Sequence, residues 1–213
     1  VRSARNDAAV LAIGIVLTVG LAGCGGAAHS DEARLAESLQ ELASQWLAEG
    51  DLSGWDRAVV ERAAQTGRIS QADYEEGAQL FESCLRDAGQ HFARTTHLNG
   101  VIEFQPPQVA TSEAEGHQQG RIQEACYQAT YGATQELFRL QQANPQLLSD
   151  FSLAAVTCLQ EAGLVADDFT KGDLDTALAP RDSALADSPF DVMDPRAQTC
   201  LYSLGWAVVV DAG

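Results

Sequence analysis

Four cysteines and three histidines are the residues of this chain best suited to chemistry. Cys84, Cys126, Cys158 and Cys200 form an even set, and in an oxidising compartment such a set closes two disulfides. Four cysteines allow three pairings, and a repeat in the sequence selects one. Cys84 opens the string CLRDAG and Cys158 opens CLQEAG, 74 residues later. Cys126 and Cys200 are also 74 residues apart, so 42 residues separate the members of each pair. The expected bridges are Cys84–Cys126 and Cys158–Cys200, each worth about 4 kcal/mol in the chain-entropy treatment of loop closure. The absence of a close Cys-x-x-Cys pair disfavours a zinc site or a redox dithiol built on these cysteines.

His91, His97 and His117 fall inside the first of the two loops. On an unbulged strand His91 and His97 share one face, and with Glu113 or Glu115 they offer donors for zinc. A metal-dependent cell-wall hydrolase centred on these histidines is therefore the alternative reading. The preferred reading leaves them as exposed polar residues on a hairpin and a helix start, with no catalytic residue, metal or cofactor assigned. His29 is incidental. The second loop holds Asp167, Asp168, Asp173, Asp175, Asp182, Asp187, Asp191 and Asp194. Calcium favours such oxygen ligands, but the spacing is irregular, and a solvated acidic loop is expected. Neither a GxSxG elbow nor an HExxH helix occurs. Trp46, Trp55, Tyr74, Tyr127 and Tyr131 read as core side chains rather than a sugar platform.

The fifth cysteine has a different task. Leu21-Ala22-Gly23-Cys24 closes an apolar run that follows Arg2 and Arg5, and the pattern resembles a bacterial lipobox. The run is too short for a comfortable membrane span and ends in Gly23-Cys24-Gly25-Gly26, which favours a cleaved signal. The resemblance implies a signal peptide over 1–23, cleavage before Cys24, and a diacylglycerol on its thiol. Val1 fits a GTG start, or a chain missing its first residues.

Loss of 1–23 would remove Arg2, Arg5 and Asp7, leaving 11 basic and 29 acidic residues and a net charge of −18. Such a surface repels phosphate backbones, which excludes nucleic acid as a partner. It also repels anionic headgroups, so the acyl chains must hold the protein at the membrane. Twelve arginines against a single lysine, Lys171, suggest a high-GC genome.

These residues need elements to position them. Residues 24–30 form a tether. An amphipathic helix is expected over 31–49, a second over about 55–65, and a third from the Ser70 cap to Gly89. Two β-rich runs in 91–105 flank Asn99-Gly100, a two-residue hairpin signal. Ser112 and Glu115 then open a long helix that runs to about Gln142. Asn144-Pro145 turns the chain into a helix carrying Cys158. A short helix is expected near 173–178, a last one from Asp194-Pro195 through Cys200, and a short apolar tail, read as a strand, over 206–210. The fold class is mainly α: two disulfide-stapled helical modules, 31–143 and 144–213, with one small β-hairpin insert.

The run from Trp55 through GRISQADYEEGAQLFESCLRDAG, with the later CLQEAG and FDVMDPRAQTC, resembles a pattern in actinobacterial secreted proteins and lipoproteins. That resemblance implies location and disulfide architecture and carries no catalytic activity with it. The expected protein is a noncatalytic binding or scaffold module on the outer face of the cell membrane. Its partners would be the membrane, through the lipid, and an envelope protein or glycan. A transporter's solute-binding lipoprotein is disfavoured, because its two-lobed α/β pattern is missing and the chain is short for it.

Overall fold

The repeated CL-x-x-AG string is a helix stop, and it works the same way in both halves of the chain. In the computed structural model, which describes residues 33–106, 110, 112–178 and 188–206, α3 (Gln71–Asp87) ends just before Gly89 and α6 (Phe151–Glu161) just before Gly163. Both glycines have positive φ, +76° and +67°. Gln90 N–H donates to Leu85 O and Gly89 N–H to Arg86 O; Leu164 N–H donates to Leu159 O and Gly163 N–H to Gln160 O. This paired pattern satisfies carbonyls that a helix end leaves open, and glycine adopts the left-handed turn without a Cβ penalty. Leu85 and Leu159 are buried, so each cysteine sits one turn inside a helix end that is anchored in apolar packing. The disulfides are Cys84–Cys126 and Cys158–Cys200.

Along the chain the other elements are α1 (Leu39–Glu49), α2 (Gly54–Thr66), β1 (Ala93–Thr96), β2 (Ile102–Gln105), α4 (Glu113–Ala129), α5 (Gly132–Ala143), α7 (Lys171–Leu178) and α8 (Pro195–Ser203). The fold is mainly helical, with one small two-stranded antiparallel sheet and two disulfides. Helix starts follow side-chain chemistry: Ser38, Ser53, Ser70 and Ser112 each accept from a backbone N–H three residues on. Asp194 caps α8, whose first residue is Pro195. Among the described residues no helix is long and apolar enough to cross a membrane. Cys24, Asp182, Asp187 and the tail over 207–210 lie outside the described residues.

Three expectations need correction. The first helix begins at Leu39 rather than near residue 31, because Ser38 caps it and the segment before it pairs elsewhere: Leu35 N–H donates to Leu147 O, and Ser149 N–H to Ala33 O. The long helix after Ser112 is two helices. It breaks at Thr130–Tyr131, and α5 restarts with its amides capped from outside by Asp56 of α2. Asp56 accepts from Ala133 N–H (3.2 Å), Thr134 N–H (2.8 Å) and the Thr134 hydroxyl (2.7 Å). The hairpin loop has three residues, not two. Gly100 N–H donates to His97 O, and His97 N–H to Val101 O. Gly100 therefore takes φ +83°, the left-handed position of a three-residue loop.

Buried side chains gather in two clusters within one compact unit. The first holds Val59, Val60, Tyr74, Phe81, Leu85, Ile102, Tyr131, Leu137 and Phe138; the second holds Leu148, Val156, Leu159, Leu174, Phe190, Val192 and Leu201. Tyr74 stacks on Phe138 with centroids 4.0 Å apart, and its hydroxyl accepts from Ile102 N–H at 2.8 Å. That contact pins the hairpin to the helices. The hairpin tip then reaches α8, where Asn99 Nδ2 donates to Ser203 Oγ at 2.9 Å and Leu98 N–H to Thr199 Oγ1 at 3.3 Å.

Candidate functional site

Side chains of two consecutive helices line a cleft. Gln123, Tyr127, Tyr131, Gln135 and Arg139 recur every four residues through α4, the Thr130–Tyr131 break and α5. Residues four apart are neighbours on a helix, which pairs Gln123 with Tyr127 on α4 and Gln135 with Arg139 on α5; with Tyr131 at the break between the two helices they line this cleft of about 330 Å³. Phe81 of α3, Phe104 of β2 and Tyr202 of α8 close its other sides. The volume falls at the low end of the ~300–1,000 Å³ range of small-molecule sites.

The rings are locked by one another. Phe81 meets Phe104 edge-on at 5.2 Å and lies tilted against Tyr131 at 5.3 Å, and Tyr127 meets Tyr131 edge-on at 5.9 Å. Polar groups are fixed between them. The Tyr127 hydroxyl donates to Glu136 Oε1 at 2.8 Å, and Arg139 Nη1 lies 3.8 Å from the same oxygen. Arg139 also donates through Nε to Ser203 O at 3.1 Å and through Nη2 to Tyr202 O. Its guanidinium stands 5.3 Å from the Tyr202 ring centroid. Arg139 thereby caps the C-terminal carbonyls of α8, the end of a helix that favours a cation.

Two buried polar atoms of this region have no hydrogen-bond partner among the described residues: the Tyr131 hydroxyl and the Trp55 indole N–H. Tyr131 lines the cleft with its side chain fully buried. Burial, with Tyr74 and Tyr127 close by, raises its hydroxyl well above the ordinary tyrosine value. Burial and the Glu136 carboxylate raise Tyr127 in the same way, and burial pushes Tyr202 up to about 12. All three hydroxyls therefore stay protonated at neutral pH and remain able to donate.

A second cleft of about 590 Å³ lies beside the first, with Asp51, Ser53, Asp56 and Gln128 in its lining. Both clefts are lined by Glu124, Tyr127 and Glu136, so the Tyr127–Glu136 hydrogen bond is part of the wall between them.

The histidines singled out by sequence do not converge. His97 is nearly buried, with Nε2 2.9 Å from Glu103 Oε2, and its ring stacks on Tyr202 at 4.7 Å. His91 is exposed, before the start of β1. His117 is exposed on α4, 3.4 Å from Glu113. Among the described residues no group of three or more His, Cys, Asp or Glu side chains is arranged to hold a metal. Two aspartates of the second loop serve locally: Asp173 accepts from Thr170 N–H and its hydroxyl, and Asp194 caps α8. Of the aromatics read as core, Tyr74 and Tyr131 are buried, whereas Tyr127 lines both clefts.

No family model, curated protein or solved structure matches this chain. The cleft contains aromatic surface, one arginine whose donors are largely occupied, two carboxylates and two glutamines. Most of its polar groups are already oriented by protein partners, an arrangement suited to holding a ligand.

Proposed function

We propose that this protein is a lipid-anchored, extracytoplasmic binding module of the cell envelope that acts by holding a partner rather than by catalysis. One observation carries the reading: two disulfides closing loops of equal span occur in a chain with Leu-Ala-Gly-Cys at 21–24. Disulfides of this kind persist outside the reducing cytoplasm, and a diacyl anchor on Cys24 would keep the protein at the membrane face. The similarity of its Cys-Leu-x-x-Ala-Gly strings to actinobacterial secreted lipoproteins supports the same placement.

Binding is favoured over chemistry by how the cleft's polar groups are occupied. Glu136 is engaged by Tyr127 and Arg139, and Arg139 by the carbonyls of α8. A general acid, base or nucleophile needs an available proton or lone pair at the reacting centre. Glu136 Oε1 and Arg139 are instead committed to holding the walls in place, and burial keeps the Tyr131 hydroxyl protonated.

The test is fractionation of a bacterial host that processes lipoproteins, with mass analysis of the N-terminal peptide. A diacylglycerol on Cys24, and release of Cys24→Ser from the membrane, are the expected results. An unmodified Cys24 in protein that still sediments with membranes would overturn the proposal.

A further inference from the structure

We infer that the two clefts flanking the Tyr127–Glu136 hydrogen bond are adjacent subsites for a linear, uncharged glycan. The inference deepens the binding reading above and does not depend on the lipid anchor. Three observations lead to it. The first is the Tyr131 hydroxyl, fully buried in the lining of the first cleft and without a hydrogen-bond partner. A buried hydroxyl left unpaired is costly; it has almost no accessible surface, so a ligand hydroxyl would satisfy it by shifting the rings that cover it.

The second is the mixture of donors and acceptors. Glu124 only accepts, Glu136 does so through Oε2 while Oε1 holds Tyr127 and Arg139, and Gln123, Gln135 and Tyr131 can donate or accept. Only a ligand whose groups both donate and accept can pair with all of them, as sugar hydroxyls do. The carboxylates, together with Asp51 and Asp56 in the second cleft, repel anionic ligands, and Arg139 opposes a cation in the first.

The third is the shared wall. Two clefts of about 330 and 590 Å³ with Glu124, Tyr127 and Glu136 common to both suit a ligand that continues from one to the other. A chain of repeating units has that shape. Aromatic rings beside planar polar side chains provide apolar contact for sugar faces and fixed partners for their hydroxyls.

Two substitutions test the assignment. Gly120 lines the first cleft from α4, and a Cβ there meets nothing within 4 Å. Gly120→Phe should therefore occlude the cleft while leaving the fold intact. Tyr131→Phe keeps the ring packing and deletes the unpaired hydroxyl. Loss of a buried unpaired hydroxyl raises stability whatever its role, so the discriminating readout is binding, which a merely structural residue would leave unchanged. This one should gain thermal stability while binding weakens by up to about tenfold, one hydrogen bond's worth.

The experiment is a calorimetric and NMR titration of the full chain, purified in detergent with its disulfides intact. The probes are neutral malto-, cello- and chito-oligosaccharides of two to six units, with oligogalacturonate as the anionic comparison. The expected result is saturable binding of a neutral series that tightens from one-subsite to two-subsite lengths. Gly120→Phe should abolish it and Tyr131→Phe should weaken it. Failure of every neutral series to bind, preference for the anionic series, or binding untouched by Gly120→Phe would each overturn the inference. None of these outcomes bears on anchoring, which the fate of Cys24 decides alone.

Discussion

Leu147 and Leu148 are neighbours in sequence, yet each is buried in a different apolar cluster. The backbone makes this possible by placing Leu147 at φ +54°, an uncommon conformation for a branched side chain. Asn144 holds the turn. Its Nδ2 donates to Leu148 O at 2.8 Å and its Oδ1 accepts from Leu148 N–H at 2.9 Å. The segment at 33–35 secures the outer side through Leu35 N–H to Leu147 O and Ser149 N–H to Ala33 O.

Asn144→Ala should therefore destabilise the whole unit. It deletes both hydrogen bonds and leaves the Leu148 amide and carbonyl unpaired in a buried setting, a loss of about 1–3 kcal/mol. Urea unfolding should show a lower midpoint with an unchanged slope. A midpoint equal to that of the parent protein would contradict this role for Asn144.

Asp56 predicts a pH effect with a definite sign. Burial raises its carboxyl above the ordinary aspartate value, against the opposing pull of its hydrogen bonds from Thr134 and Ala133. A raised value in the fold means that the folded protein retains the proton more readily than the unfolded chain. Its pH-linked contribution is thus fully present below the unfolded value of 3.8 and lost as pH rises through the folded value. Asp56→Asn should flatten the stability profile in that window. Asp56→Ala should cost about 1–3 kcal/mol at neutral pH, because the first amides of α5 lose their cap.

Gly77→Ala sets helix propensity against packing. In the middle of α3 alanine would gain about 1 kcal/mol over glycine. Here, however, the added Cβ would lie 2.7 Å from Tyr131 Cβ and 2.9 Å from Trp55 Nε1. The first contact is with the base of a buried side chain that cannot swing away, and overpacking of this kind costs about 1–3 kcal/mol. A lower melting temperature is expected, and the same substitution at Gly120, where the Cβ meets open space, should raise it.

The tyrosines predict behaviour in alkali. The chain has four, and all are raised: Tyr74 and Tyr202 to about 12 by burial, Tyr127 and Tyr131 upward by burial as well. From pH 10 upward the unfolded chain loses phenolic protons that the fold keeps, so stability falls as pH rises through the folded values. Tyrosinate absorbance should appear only well above the ordinary value of about 10 and should rise together with loss of the helical circular dichroism. Ordinary titration of any tyrosine in the folded protein would contradict its burial.

The sequence by itself determined the features whose cause is local. Ser38, Ser53, Ser70, Ser112 and Asp194 start helices because a short polar side chain can reach the first free amides. The Cys-Leu-x-x-Ala-Gly strings end two helices because glycine admits the left-handed turn, and their equal offsets selected the bridges observed at Cys84–Cys126 and Cys158–Cys200. Tertiary structure decided what depends on groups distant in the chain. The break at Thr130–Tyr131 rests on Asp56, more than seventy residues earlier, and His97 is packed inward by Glu103 and Tyr202. The cleft had one visible trace, the four-residue recurrence of Gln123, Tyr127, Tyr131, Gln135 and Arg139. That spacing pairs neighbours within each helix but not across the break; only the break at Thr130–Tyr131 and the packing of α3, β2 and α8 bring the five side chains to one site.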